Sequence, residues 1–239
     1  ICAGYDDAAA LEEFARSADV VTYEFENIPT DALDAIEANP AAVNFGTFVG
    51  HGSIRALVIG EEDRPPTDEE LDLMRDEVRK AMETGAYGLS SGLIYLPGRF
   101  ATTEEVIELA KVAAGYGGIY ISHMREEGLD LLKSVAETIR IGEEGGLPTQ
   151  LTHHKVVGAP MWGKSTETLR MVDEAIARGV DVSIDQYPYT ASSTSLTILF
   201  PGWSLDGGRP ALLERMADAV ARPGHEVELN DIRKLPSGF

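Results

Sequence analysis

Gly118-Ile119-Tyr120-Ile121-Ser122-His123 and, further on, Thr149-Gln150-Leu151-Thr152-His153-His154-Lys155 decide the fold. The first run is β-branched and aromatic, and both runs end on histidine. Between them Leu131, Leu132, Val135 and Ile139 recur at helical spacing, in a helical pattern that sets in at Met124-Arg125-Glu126-Glu127. Gly145, Gly146 and Pro148 stop that helix. Strand, helix and strand in this compass make a βαβ unit, whose two strands lie parallel in one sheet. Both histidine clusters then emerge at the same carboxyl edge, where α/β folds bind ligands. Neutral imidazole is the commonest protein metal ligand, so the pattern predicts half of a zinc site. A histidine at a strand end is also an ordinary polar group, and spacing alone supplies no third or fourth ligand.

Outward from this unit the alternation continues. Val43 to Val49 reads as a strand, with Gly50-His51-Gly52 as a loop after it. Thr67 and Glu70 form a capping box for a helix bearing Leu71, Met74, Val78 and Met82. Leu89 to Tyr95 is a short strand and loop. Thr102 and Glu105 form a second capping box, ahead of Val106, Leu109, Ala110 and Ala113. A further helix carries Leu169, Val172 and Ile176, and the strand Val180 to Asp185 runs into Gln186-Tyr187-Pro188-Tyr189. Regular alternation from about residue 42 to 190 is the signature of parallel α/β, either a barrel or a doubly wound sheet. A complete eight-stranded barrel takes about 250 residues. Strands are expected near residues 20, 43, 88, 119, 149 and 181. The expectation is a partial barrel with open edges that invite pairing with a second copy.

Composition narrows the function. The 239 residues carry a net charge of −20, which argues against nucleic acid or an anionic membrane surface as partner. Hydrophobic residues make up 44%, enough for a packed core. The single cysteine, Cys2, excludes an internal disulfide and a cysteine zinc cluster. No apolar run approaches the length of a membrane span, and a cytoplasmic setting is expected.

Two resemblances divide the chain. Tyr5-Asp6-Asp7 and Asp19-Val20-Val21-Thr22-Tyr23-Glu24-Phe25-Glu26-Asn27-Ile28-Pro29 resemble the N-terminal domain of 5-(carboxyamino)imidazole ribonucleotide synthase, an ATP-grasp enzyme. This covers residues 1–38. Over roughly residues 39–215, a second set of motifs is similar to the N-acyl-D-amino-acid deacylases, or D-aminoacylases, of the amidohydrolase superfamily. These motifs are Val49-Gly50-His51-Gly52-Ser53-Ile54-Arg55, Gly88-Leu89-Ser90-Ser91-Gly92-Leu93-Ile94-Tyr95, Ser122-His123-Met124-Arg125, Thr152-His153-His154-Lys155, Trp162-Gly163-Lys164-Ser165 and Asp185-Gln186-Tyr187-Pro188-Tyr189-Thr190.

That resemblance implies a metal-dependent TIM-barrel hydrolase acting on a small N-acyl amino acid. It implies zinc held by His123 and His153, with Tyr95 and Lys155 facing the substrate and Tyr187 and Ser193 holding its carboxylate. The family's His-x-His strand, its cysteine ligand and its catalytic aspartate find no match, so the catalytic base is unknown. The expected organisation is a fragment over 1–38, an incomplete amidohydrolase barrel over 39–222, and a tail of unknown origin over 223–239. Such a chain reads as chimeric and truncated, with a seam around Asp31 to Asn39 and weak or no activity by itself.

Two other readings stay open. Gly158-Ala159-Pro160-Met161-Trp162-Gly163-Lys164-Ser165 satisfies the phosphate-loop pattern between a strand and a helix, which would make the protein nucleotide-binding. The other is a remnant that folds and carries no catalysis.

Overall fold

The computed structural model describes residues 46–221, with positions 7, 9, 10 and 13 besides. The chain divides into two units at Thr47 and Phe48, and every element named here lies in the second. The expected strand near residue 20, the seam and the tail 223–239 lie outside the described residues.

Five strands form one parallel sheet: β1 Val49–Gly50, β2 Gly88–Gly92, β3 Ile119–His123, β4 Thr149–Leu151 and β5 Val182–Ile184. Their spatial order is their order in sequence. The register sets Gly92 opposite His123, Ser122 opposite Leu151, and Leu151 opposite Ile184. A doubly wound sheet reverses its strand order at a switch point, and no reversal occurs among the described strands. Successive right-handed crossovers in one direction put their helices on one face. Accordingly α1 His51–Val58, α2 Asp68–Glu83, α3 Thr103–Ala114, α4 Leu131–Gly145 and α5 Ser165–Ala177 pack each on the next. Two further helices follow, α6 Gly202–Leu205 and α7 Gly208–Ala221. The parallel α/β expectation therefore holds, in the strand order of a barrel segment, with β1 and β5 as the outer strands of the described sheet.

Burial along β3 alternates, and this alternation places the site. Tyr120 and Ser122 are buried on the helix-covered face, whereas Ile119, Ile121 and His123 are half-buried on the other. The Tyr120 hydroxyl reaches Ser91 Oγ at 2.6 Å, and Ser91 Oγ reaches Ser122 Oγ at 3.1 Å. Burial pushes the Tyr120 phenol up to about 12. A neutral hydroxyl chain thus ties β2 to β3 under the helices. His123 is left facing the open side.

The first capping box forms as expected: Thr67 Oγ1 accepts Glu70 N–H at 3.2 Å, and the Glu70 carboxylate accepts Thr67 N–H at 2.8 Å. The second forms only by half. Thr102 Oγ1 accepts Glu105 N–H at 3.2 Å, but the Glu105 carboxylate turns inward. One oxygen lies 2.8 Å from His51 Nε2 and the other meets the Arg55 guanidinium. Arg55 also donates to the Arg64 carbonyl at 2.5 Å. His51, expected in a loop, is the fully buried first residue of α1. Burial alone would raise the Glu105 pKa; the partners His51 and Arg55 outweigh it and hold it below the usual carboxylate range. Desolvation makes this pairing obligatory, because a lone buried charge costs several kcal/mol, about 3–5 when one partner is removed.

The buried face of α5 is not the one its largest apolar residues mark. Val172 is buried together with Thr168 and Ala175, while Leu169 and Ile176 are 48% and 52% exposed. The helix packs on α4 and β5 through its smaller residues, which permits a closer approach than Leu169 or Ile176 would. The helix expected to set in at Met124 begins at Leu131, so residues 124–130 form a loop at the carboxyl edge.

Candidate metal and substrate site

The paired histidines that the sequence singles out lie at or just after a strand's last residue. His123 ends β3. β4 ends earlier, at Leu151, and the chain turns there. His153 adopts φ +43°, the only positive φ of a non-glycine residue among those described. Side-chain alternation along a strand is therefore not what distinguishes His153 from His154. The turn does it. Left-handed backbone costs a β-carbon-bearing residue about 1–3 kcal/mol and persists where neighbours over-determine it. Here Asp185, just past β5, accepts the His153 N–H on Oδ1 at 2.5 Å and the Gln150 amide on Oδ2. The Asp185 carbonyl accepts the His154 N–H at 2.9 Å.

The turn brings the two imidazoles together. His123 Nδ1 and His153 Nε2 are in contact, with ring centroids 4.4 Å apart and ring planes inclined by 57°. His154 turns away into the fold, 6% exposed, with Nε2 unpartnered. Around the pair, the Tyr95 ring stands 6.2 Å from His123 in an edge-on arrangement, and the Tyr187 ring 6.2 Å from His153. Lys155 Nζ lies 5.5 Å from the centroid of the Tyr187 ring. Tyr95 Oη meets Thr194 Oγ1 at 3.2 Å. Ser193, next to Thr194, is exposed and has no side-chain hydrogen bond among the described residues. The structure thus gathers His123, His153, Tyr95, Lys155 and Tyr187 at one edge, and leaves Ser193 beside them without a contact.

One member of the group went unread in the sequence. Glu127, in the loop after β3, sets Oε2 2.6 Å from Lys155 Nζ and Oε1 3.0 Å from His153 Nδ1. Its signal was masked because residues 124–127 read as the first turn of a helix. Burial would raise its pKa, but His153 and Lys155 win and lower it. Burial first, and the neighbouring His153 second, push His123 down to about 4. Its ring is therefore neutral at pH 7, the form that offers a lone pair to a metal.

The donor set fits a zinc ion in part. Two rings turn nitrogens of opposite type, one Nδ1 and one Nε2, to a common point, as two ligands of one ion do. Among the described residues, no group of three or more histidine, cysteine, aspartate or glutamate side chains is arranged to hold a metal. The described residues offer two nitrogen donors at this point.

The phosphate-loop reading is not favoured. Ala159–Met161 is a short 3-10 turn, Trp162 is 70% exposed, and Lys164 pairs with Glu167 at 2.8 Å in the first turn of α5. An acid at the helix N-terminus repels the phosphate that such a loop cradles.

D-Aminoacylase from Alcaligenes xylosoxydans xylosoxydans is 48% identical over 175 residues, covering 73% of this chain and 36% of that protein. The chain is homologous to the D-aminoacylases. A solved relative of these deacylases is N-acyl-D-glutamate deacylase from Bordetella bronchiseptica, complexed with zinc and a phosphonate mimic of the tetrahedral intermediate. It superposes with a TM-score of 0.63 at 36% identity, over 66% of this chain and 33% of its own. This chain thus spans about a third of the length of the D-aminoacylases it matches. Residues 1–45 match the family model of the ribonucleotide synthetase preATP-grasp domain. N5-carboxyaminoimidazole ribonucleotide synthase from Brucella melitensis is 56% identical over 36 residues, 15% of this chain and 10% of that protein.

Proposed function

We propose that this chain carries part of the active site of a zinc-dependent hydrolase of N-acyl-D-amino acids, with His123 and His153 as metal ligands. The observation that carries the reading is the convergence of His123 Nδ1 and His153 Nε2 from neighbouring strand ends. A zinc ion held there would lower the pKa of a bound water to about 7 and polarise the amide carbonyl. The residues around it suit a substrate with one free carboxylate. Lys155 presents an ammonium at the rim, Tyr187 presents a phenol within 6.2 Å of His153, and Tyr95 walls the His123 side. Ser193, as a further hydroxyl for that carboxylate, rests on the family resemblance. Fixing the carboxylate fixes the amide beside the metal ligands, which is how binding of a remote group raises turnover.

A second copy pairing along β1 or β5 is the partner arrangement the outer strands suit. Among the described residues, no helix is long and apolar enough to cross a membrane. Zinc content of the purified chain, measured beside that of His123→Ala and His153→Ala, tests the reading. A wild-type chain that takes up no zinc refutes it.

A further inference from the structure

The chain leaves β2 at Gly92 and reaches α3 at Thr103 through a loop that carries Tyr95 to the His123 ring. Backbone bonds fix the start of that loop. Leu93 N–H donates to the His123 carbonyl at 3.0 Å, and Tyr95 N–H donates to the Gly92 carbonyl at 3.0 Å. Its end is one 3-10 turn, Gly98–Phe100, a short element with poor hydrogen-bond geometry of its own. Arg99 N–H in this turn donates back to the Tyr95 carbonyl at 2.7 Å, so a shift of the turn carries Tyr95 with it. The Tyr95 hydroxyl has one partner among the described residues, Thr194, on an exposed segment. What holds the turn therefore decides how the phenol ring stands to His123.

Arg125 holds it. Its Nη1 donates to the Arg99 carbonyl and its Nη2 to the Ala101 carbonyl, both at 2.9 Å. The other edge of the same guanidinium grips Glu137 on α4: Nε reaches Oε2 at 2.9 Å and Nη2 reaches Oε1 at 2.8 Å. Thr103 Oγ1 donates to Glu137 Oε1 at 2.8 Å and sets the carboxylate in turn. A planar fork with donors on two edges serves a carboxylate and two carbonyls at once, whereas an ammonium offers all its donors from one point. The Arg125 and Glu137 side chains are 29% and 12% exposed, so water competes weakly for these bonds. The sheet does not depend on the clamp. β2 and β3 pair over five residues, and the Ser91, Tyr120 and Ser122 hydroxyls join them under the helices.

We propose that Arg125 is a positioning residue: it holds the turn at Gly98–Phe100 so that Tyr95 stands edge-on to His123. The inference deepens the hydrolase reading and rests on it for the purpose of Tyr95, the wall on the His123 side of the substrate. The stance of the ring is measurable without metal or substrate. The competing role is a plain charge tie between Arg125 and Glu137, which would stabilise the fold and leave Tyr95 where it is.

The test is nuclear Overhauser contact between the Tyr95 and His123 ring protons. It is read on the metal-free full chain labelled in tyrosine and histidine, with melting temperature and zinc uptake measured alongside. Wild type is expected to show the contact. R125Q loses it, while the Tyr120 signals, which report the seam between β2 and β3, keep their wild-type shifts. R125K keeps a charge opposite Glu137 but cannot span both carbonyls: its melting temperature returns toward that of wild type and the ring contact does not. If neither Arg125 variant folds, E137Q carries the test; it leaves the guanidinium without its bidentate partner, and the contact weakens. A contact that survives in folded R125Q, that R125K restores together with stability, or that E137Q leaves undiminished overturns the proposal, as does its absence from wild type. Wild type that shows the contact and takes up no zinc sinks the metal reading alone and leaves the clamp standing.

Discussion

The Asp185 carboxylate, beyond the end of β5, accepts the backbone N–H of His153, beyond the end of β4, at 2.5 Å. That bond crosses between neighbouring strands at the carboxyl edge and fixes the one left-handed non-glycine residue described. Asp185→Ala leaves the His153 N–H and the Gln150 amide without their acceptor. The expected loss of stability is about 1–3 kcal/mol by urea denaturation. Zinc affinity falls with it, because His153 no longer holds its angle to His123. A variant that is destabilised yet binds zinc like wild type would separate the clamp from the site.

His123→Ala and His153→Ala are each expected to abolish stoichiometric zinc uptake, whereas His154→Ala retains it. Metal content after gel filtration gives the ranking. His154 is buried with its ring turned from the pair, so its loss appears in melting temperature and not in zinc. The reverse ranking would overturn the assignment of ligands.

The Glu105 carboxyl, flanked by His51 and Arg55, makes stability depend on acid. Its folded pKa is lowered, so it binds a proton less readily in the folded chain than in the unfolded one. Its contribution is therefore complete above the ordinary value near 4.5 and is lost as pH falls through the lower folded value. Glu105→Gln should cost about 3–5 kcal/mol at pH 7, since Arg55 is left buried without its counter-charge. Denaturation curves of both forms from pH 7 downward are expected to converge below pH 4.5. Parallel curves would remove Glu105 from the account.

Gly142, inside α4, stands where a β-carbon would fall 2.1 Å from Thr149 Oγ1 and 2.8 Å from Thr149 Cβ on β4. Gly142→Ala is expected to destabilise by about 1–3 kcal/mol despite the better helix propensity of alanine. Adding Thr149→Ala should recover part of that loss, a coupling that a double-mutant cycle in urea measures. Additive effects would place the close approach elsewhere.

The β-branched runs at 119–123 and 149–152 and the Thr67 capping box were legible because each depends on residues close in sequence. His123 and His153 were legible as a pair because parallel strands bring their ends to one edge whatever surrounds them. Three features were not. Glu105 sits where a capping box puts its acid, and only the buried His51 and Arg55, 54 and 50 residues away in sequence, redirect it. Leu169 and Ile176 carry the helical period of a core face, yet α5 meets its neighbours through Thr168, Val172 and Ala175. Glu127 belongs to the pattern of a helix start, and it becomes a site residue because the helix begins only at Leu131. In each case a contact distant in the chain overrides a local preference.

Because the strands lie side by side in chain order, each strand-and-helix module touches chiefly the one before and the one after. The segment after β5 is the exception: Asp206 accepts the Asp63 N–H at 2.8 Å, and the Phe200 carbonyl accepts from Arg99 at 3.0 Å. An exchange of genetic material at the border between two such modules would break one strand pairing and one helix contact of the sheet, and the neighbouring modules on either side would keep theirs. An architecture of this kind tolerates splicing far better than one whose first and last strands meet in the middle, and evolution or an engineer can lengthen it by one step at a time.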